Sequence, residues 1–318
     1  MEKYKTMAVY GGGSWGTALA CQVARHYDNV SIFLRDIDII EEIKVKRTNA
    51  KYLSSDVLIP NNIIPTNRIE DILDKEVIII AVPSFAFEYT INKLKDAGIN
   101  KNTVLLIATK GFGKNPTELL SDKTKSILPN NPFAFIAGPN LAKEVAINLS
   151  TSVTIASLNI DIAKKLAISL ISKQFQVTIT DYIVAIQVAG ALKNIIAIQS
   201  GLYDAKGYGQ NAKAGLITGG IQEIKVLSEA IDGELGDNSI LFSPGILGDV
   251  VLTCYSKASR NNRFGYELGQ QEDIKKFLDK NSYLVEGRES VKLALELITK
   301  YNLTMPIVSS VASALLLL

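Results

Sequence analysis

MAVYGGGSWGTALACQVARH, residues 7–26, carries the decision about fold. Four apolar residues run into Gly11-x-Gly13-x-x-Gly16, and beyond the glycines Leu19, Val23 and Ala24 recur at helical spacing. The stretch therefore reads as a buried strand over 7–10, a tight turn over 11–16 and a helix over 17–26. Working outward, 30–34 supplies a second strand. Residues 77–82, 104–108 and 133–137 are continuous apolar runs stopped by polar, glycine or proline residues, the pattern of parallel strands covered on both faces. Helical stretches separate most of them. The expectation is an α/β, doubly wound, Rossmann-like sheet, with ligands received beyond the carboxyl ends of its strands.

Another strand pair is expected at 152–156 and 175–180, around a helix at 162–172. After Asp181 the segments become long, apolar at helical period and nearly free of strand-like runs. A chain of 318 residues exceeds what one core usually holds, so we divide it into a dinucleotide-binding domain at 1–182 and an all-helical C-terminal domain at 183–318.

Composition narrows the classes of function. Lys and Arg number 34 against 32 Asp and Glu, which leaves no long-range field to attract nucleic acid or an anionic membrane. The two cysteines, Cys21 and Cys254, form no metal or redox motif, and no metal site is expected. The first residues lack a secretory pattern, so the expected compartment is the cytoplasm. The apolar run 183–202 is interrupted by Gln187, Lys193, Asn194 and Gln199, which argues for a core helix and against a membrane span.

The candidate chemistry is local. At the glycine turn, Gly11 permits the bend, Gly13 close approach of a pyrophosphate, and Gly16 tight helix–strand packing, while Ser14 and Trp15 bring amides to the helix tip. Arg35 follows the second strand, where an arginine suits a 2′-phosphate and an acid a free ribose, so NADP(H) is preferred and NAD(H) remains open through the adjacent Asp36. Three further strand ends carry Pro83-Ser84, Thr109-Lys110-Gly111 and Gly138-Pro139-Asn140. Lys110 reads as a substrate contact or a solvated turn residue, Asn140 as a substrate contact or a helix cap. Lys193 and Asn194 sit mid-way along an apolar stretch, where a charge is costly unless it has work and a partner. His26 is the one histidine in the chain, so proton transfer is expected to fall to another group. Asp249 and Thr253 share one helical face. Ser259, Arg260 and Asn261 combine a planar cation with hydroxyl and amide groups suited to a phosphate monoester, or form a basic loop.

In these segments, GGGSWGTALA at 11–20, ATKG at 108–111, GPNLAKE at 138–144, AGALKNIIAI at 189–198, NAKAGLIT at 211–218, GDVVLTC at 248–254, SRNNRFG at 259–265 and VEG at 285–287, the chain resembles the bacterial NAD(P)-dependent glycerol-3-phosphate dehydrogenases over nearly its full length. The resemblance implies reversible reduction of dihydroxyacetone phosphate to sn-glycerol 3-phosphate for glycerophospholipid synthesis, by a homodimer. It implies Lys193 as proton donor and acceptor, assisted by Lys110 and Asp249. Substrate contacts would come from Lys110, Gly138, Asn140, Lys193, Asn194, Asp249, Thr253, Ser259, Arg260 and Asn261. Cofactor contacts would come from Gly11, Gly13, Ser14, Trp15, Gly16, Arg35, Lys110, Ala142, Arg260 and Glu286. Of these, Ala142 and Glu286 rest on the resemblance alone. The chain departs from the family pattern with Asn140 in place of serine or threonine, Lys213 and Gly219 in place of arginines, and an apolar Leu315–Leu318 ending. A 3-hydroxyacid or 6-phosphogluconate type dehydrogenase and a non-catalytic NADPH-sensing protein are the alternatives on the same plan.

Overall fold

A computed structural model describes residues 2–113, 118–280 and 285–317. The chain forms two compact units: Met1–Thr109 with Leu120–Ile183, and Lys110–Leu119 with Val184–Leu318. The division expected at 182/183 treats each part as continuous. The structure differs in assigning the segment Lys110–Leu119, which leaves the strand Val104–Ile107, to the second unit.

In the first unit, β1 (Met7–Tyr10), α1 (Ser14–Ala24), β2 (Val30–Phe33), α2 (Ile37–Lys46) and β3 (Ile63–Thr66) are followed by α3 (Glu70–Leu73), β4 (Val77–Ile80), α4 (Ser84–Asp96) and β5 (Val104–Ile107). Then come α5 (Leu120–Ile127), β6 (Phe133–Ala137), α6 (Ala142–Ala146), β7 (Thr151–Ala156), α7 (Ile160–Leu170) and β8 (Phe175–Thr180). The eight strands lie in the order β3-β2-β1-β4-β5-β6-β7-β8, all pairs parallel except β6·β7. All four residues of β1, β4 and β5 are buried, as strands with helices on both faces require. β3, which sequence reading passed over, contains Pro65; it is an edge strand, where a missing N–H is tolerated. Helix α1 starts at Ser14, three residues before the expected position, because Gly13 is already its N-cap.

The described part of the second unit is helical throughout: α8 (Ile183–Ala205), α9 (Gly209–Asp232), a 3-10 turn (Asn238–Phe242), a π turn (Pro244–Gly248), α10 (Asp249–Tyr255), α11 (Arg260–Gly269), α12 (Ile274–Lys280), α13 (Glu286–Tyr301) and α14 (Pro306–Ala314). By length and composition α8 would span a membrane, yet it is covered by protein, as a core helix is. It crosses α11 through paired glycines. A Cβ on Gly201 would stand 2.0 Å from the Asn262 carbonyl oxygen, and one on Gly265 2.0 Å from that of Ile198, so only glycine lets the backbones meet. Asn262 and Ser200 complete this crossing, with Asn262 Nδ2 donating to Cys254 O at 2.9 Å and to Ser200 Oγ at 3.2 Å.

Candidate active site

A buried polar cluster of charged residues lies in the second unit. Lys193, on the fourth turn of α8 and itself buried, donates from Nζ to Asp249 Oδ1 at 2.5 Å. Lys110 donates to the other carboxylate oxygen, Oδ2, at 2.8 Å. One acid therefore bridges two ammonium groups. Asp249 opens α10 directly after the π turn, a helical irregularity of the kind found at functional sites, and is itself 3% exposed. Thr253, one turn on, donates to the Asp249 main-chain oxygen at 2.6 Å and faces its Oδ1 at 3.4 Å.

The electrostatics follow from burial and charge count. Desolvation pushes the Lys193 ammonium down; the Asp249 carboxylate opposes this, Lys110 adds to it, and the net result is a pKa lowered to about 8. Burial also works against a charged Lys110, but Asp249 and Glu286 outweigh it and raise its pKa. For Asp249, burial favours the neutral acid, yet the two lysines hold it below the ordinary carboxylate range. The arrangement is an ion triad of net +1, carrying one lysine whose proton is weakly held near neutral pH. It suits proton exchange with an oxygen that gains or loses negative charge.

A second polar group adjoins it in sequence and in space. Asn194 accepts at Oδ1 from Asn261 Nδ2 at 2.9 Å and donates to Glu286 Oε2 at 3.3 Å. Asn261 Oδ1 accepts from Gly287 N at 3.0 Å. Arg260, half exposed, reaches Glu286 with an Nη2–Oε1 distance of 4.0 Å. Ser259 is not in a basic loop: it caps α11, its Oγ accepting from Asn262 N at 3.2 Å. Arg260 and Asn261 thereby occupy the first turn of a ten-residue helix, where amides and dipole favour an anion. Glu286 is the first residue of α13.

The remaining candidates belong to the first unit. Gly11 has φ +125°, and a Cβ there would lie 2.4 Å from the Ala81 carbonyl oxygen. A Cβ on Gly16 would lie 2.0 Å from Gly11 O, whereas one on Gly13 would meet no atom within 4 Å. The two outer glycines thus close the turn, and Gly13 leaves open space before the α1 amides, the shape that a pyrophosphate requires. Trp15 Nε1 is buried without a partner, and Ser14 Oγ donates to Tyr52 O at 2.6 Å. Ala142 starts α6, which packs against α1. Gly138 and Asn140 follow β6, in the turn before α6. A Cβ on Gly138 would collide with Ser152 O at 2.4 Å. Asn140 is not a cap, since Leu141 holds that position in α6; its Nδ2 donates to Thr151 Oγ1 at 2.7 Å and to Ser152 O at 3.2 Å, leaving a buried Oδ1 without a partner. Sequence reasoning missed Asn49, fully buried, whose Nδ2 donates to Gly12 O at 3.0 Å and Thr17 Oγ1 at 2.9 Å. A lone asparagine in a loop offers no periodic or spacing signal.

The family model for the NAD-dependent glycerol-3-phosphate dehydrogenase N-terminus matches residues 6–163, and that for the C-terminus matches 182–316. The glycerol-3-phosphate dehydrogenase [NAD(P)+] of Rickettsia massiliae (strain Mtu5) is 53% identical over 99% of this chain and 96% of its own length. Among solved structures, glycerol-3-phosphate dehydrogenase from Coxiella burnetii superposes with a TM-score of 0.88 at 34% identity, covering 98% of this chain and 94% of that one. The yeast enzyme GPD1, at 22% identity and a TM-score of 0.84 over 98% and 96% of the two chains, shares the fold.

Proposed function

The chain belongs to the NAD-dependent glycerol-3-phosphate dehydrogenase family, and from that premise we propose that Lys193 is the proton donor and acceptor of its reaction. The protein is an NAD(P)-dependent oxidoreductase that interconverts dihydroxyacetone phosphate and sn-glycerol 3-phosphate. Family membership displaces the hydroxyacid-type and sensor alternatives. The observation that carries the lysine assignment is the buried ammonium at 2.5 Å from Asp249, with its pKa brought to about 8 by desolvation and by Lys110.

The residues of the glycine turn fit a dinucleotide, with Gly13 and the α1 amides at the pyrophosphate, and the bound nicotinamide supplies the hydride that reduces C2. Arg260 and the open amides of α11 hold the substrate phosphate, so that binding energy far from C2 orients the reaction. Asn194 and Asn261 fix each other and brace that corner. Lys193 gives its proton to the C2 oxygen as negative charge develops there, and in the reverse direction the neutral amine takes it back. Lys110, kept charged by Asp249, supplies a fixed positive charge that stabilises the same oxygen. Gly138 and Asn140 contribute further substrate contacts, and Ser14, Trp15, Arg35, Ala142 and Glu286 further cofactor contacts. The enzyme works as a cytoplasmic homodimer that feeds glycerophospholipid synthesis.

The test is Lys193→Ala. Turnover is expected to fall by at least about a hundredfold, the low end for general acid–base catalysis, while NADPH still quenches the fluorescence of Trp15, the single tryptophan. Near-normal turnover removes the lysine from the mechanism.

A further inference from the structure

We propose that Lys51 sets the preference between the two nicotinamide dinucleotides, by engaging Asp36 and leaving Arg35 to receive a 2′-phosphate. This rests on reading the glycine turn as the pyrophosphate seat and deepens it, since use of NAD(P) leaves the preference open.

Arg35 and Asp36 are the first residues past the sheet, because Leu34 N still bonds to Thr66 O at 2.9 Å beside β3. At this place an acid accepts the free ribose hydroxyls and an arginine pairs with a 2′-phosphate. The chain carries both side by side, so sequence alone leaves the outcome balanced. Structure separates them. Asp36 caps α2, its Oδ1 accepting from Asp38 N at 3.2 Å, while Oδ2 accepts from Lys51 Nζ at 2.8 Å. Both carboxylate oxygens are engaged, and the charge has a counter-ion. Arg35 is exposed and, among the described residues, forms no ion pair.

Lys51 is held at this position by the same residues that build the glycine turn. Its loop is anchored through Asn49 to Gly12 O and Thr17 Oγ1, and through Tyr52 O, which accepts from Ser14 Oγ at 2.6 Å. On the other side Glu42 Oε1 accepts from Thr48 Oγ1 at 2.7 Å and from Ala50 N at 2.9 Å, tying the loop to α2. The Lys51 ammonium also lies 5.5 Å from the Tyr52 ring centroid. Without Lys51, Asp36 faces the ribose with an unopposed charge, which repels a 2′-phosphate and offers acceptors to free hydroxyls. An exposed ion pair adds little to folding stability, so its consequence is read in the ratio of two affinities rather than in Tm.

The experiment titrates the full-length protein with NADPH and NADH and follows Trp15 quenching, with calorimetry as a second readout. The unaltered protein is expected to bind NADPH more tightly. In Lys51→Ala the NADPH Kd should rise by at least about tenfold, the scale of one lost charge-assisted contact, while the NADH Kd stays level or falls. Lys51→Arg should keep the original ratio, and adding Asp36→Asn to Lys51→Ala should return part of the NADPH affinity. Equal changes for both dinucleotides, or no change for either, overturn the role of Lys51 alone. Failure of the unaltered protein to bind either one overturns the glycine-turn reading, and this inference with it.

Discussion

Asp249→Asn isolates the acid that holds the two lysines together, because it removes the charge and keeps the shape. At an effective dielectric of about 20, a unit pair at the 2.5 Å between Lys193 and Asp249 attracts by about 6.6 kcal/mol. If desolvation and rearrangement leave only about a third of that, the change still lowers the Lys193 pKa by about 1.5 units, at about 1.4 kcal/mol per unit. The lysine then titrates near 6.5 instead of about 8, a shift set by the lost carboxylate and by Lys110, which remains. The sign is fixed for each direction. On the proposed role of Lys193, oxidation of glycerol 3-phosphate needs the neutral amine, so kcat/KM rises with pH through this pKa, and in the variant the rise moves down by at least about one unit. Reduction needs the ammonium, whose fraction at pH 7 drops from about nine-tenths to about a quarter. The assay is the pH profile of kcat/KM in both directions, by NADPH absorbance, at a temperature where circular dichroism shows the variant folded. An oxidation profile whose ascending limb stays at its original pH refutes the reasoning, because Lys193 would then be indifferent to a carboxylate at 2.5 Å.

On the proposed phosphate role, Arg260→Ala removes a charge-assisted contact worth about 1.5–3 kcal/mol, so KM for dihydroxyacetone phosphate should rise by about ten- to a hundredfold; an unchanged KM breaks the phosphate assignment. Gly265→Ala places a methyl 2.0 Å from Ile198 O and should lower Tm by several degrees, measured by scanning calorimetry; an unchanged Tm means the α8–α11 crossing relaxes freely. Burial pushes the Cys21 thiol up to about 11 and the Cys254 thiol up to about 12, so an aromatic disulfide reagent should titrate neither in the native protein and both after denaturation. Rapid native labelling of either would contradict their burial.

The sheet was legible where burial on both faces forces continuous apolar runs: 133–137 matches β6 residue for residue. The reading at 175–180 matches β8 as well, although that edge strand mixes polar and apolar residues and only Phe175 in it is buried. β3 was not, because Ile64 is exposed and Pro65 interrupts the pattern at the sheet edge. The reversal of β7 against β6 has no local signature either, since strand direction is set by the path of the chain and not by side-chain alternation. Lys193 stood out because a charge within an apolar helix has to be compensated. Its compensation did not stand out. Asp249 is 56 residues away and Lys110 is 139 residues from that acid, so the triad exists only after folding. Asn140 and Ser259 show the converse: each carries a capping side chain by type, but only Ser259 caps a helix, because the chain after Asn140 turns one residue later.

The excursion of Lys110–Leu119 means that the two units are joined by three covalent crossings instead of one, at 109/110, 119/120 and 183/184. A single cut at 183 would strand Lys110 on a fragment without its acid and leave Asp249 with one lysine. Neither half is then a transplantable module. Chimeras with other dehydrogenases would need all three junctions matched, and the lysine that pairs with Asp249 in one unit is inherited along with the sheet of the other.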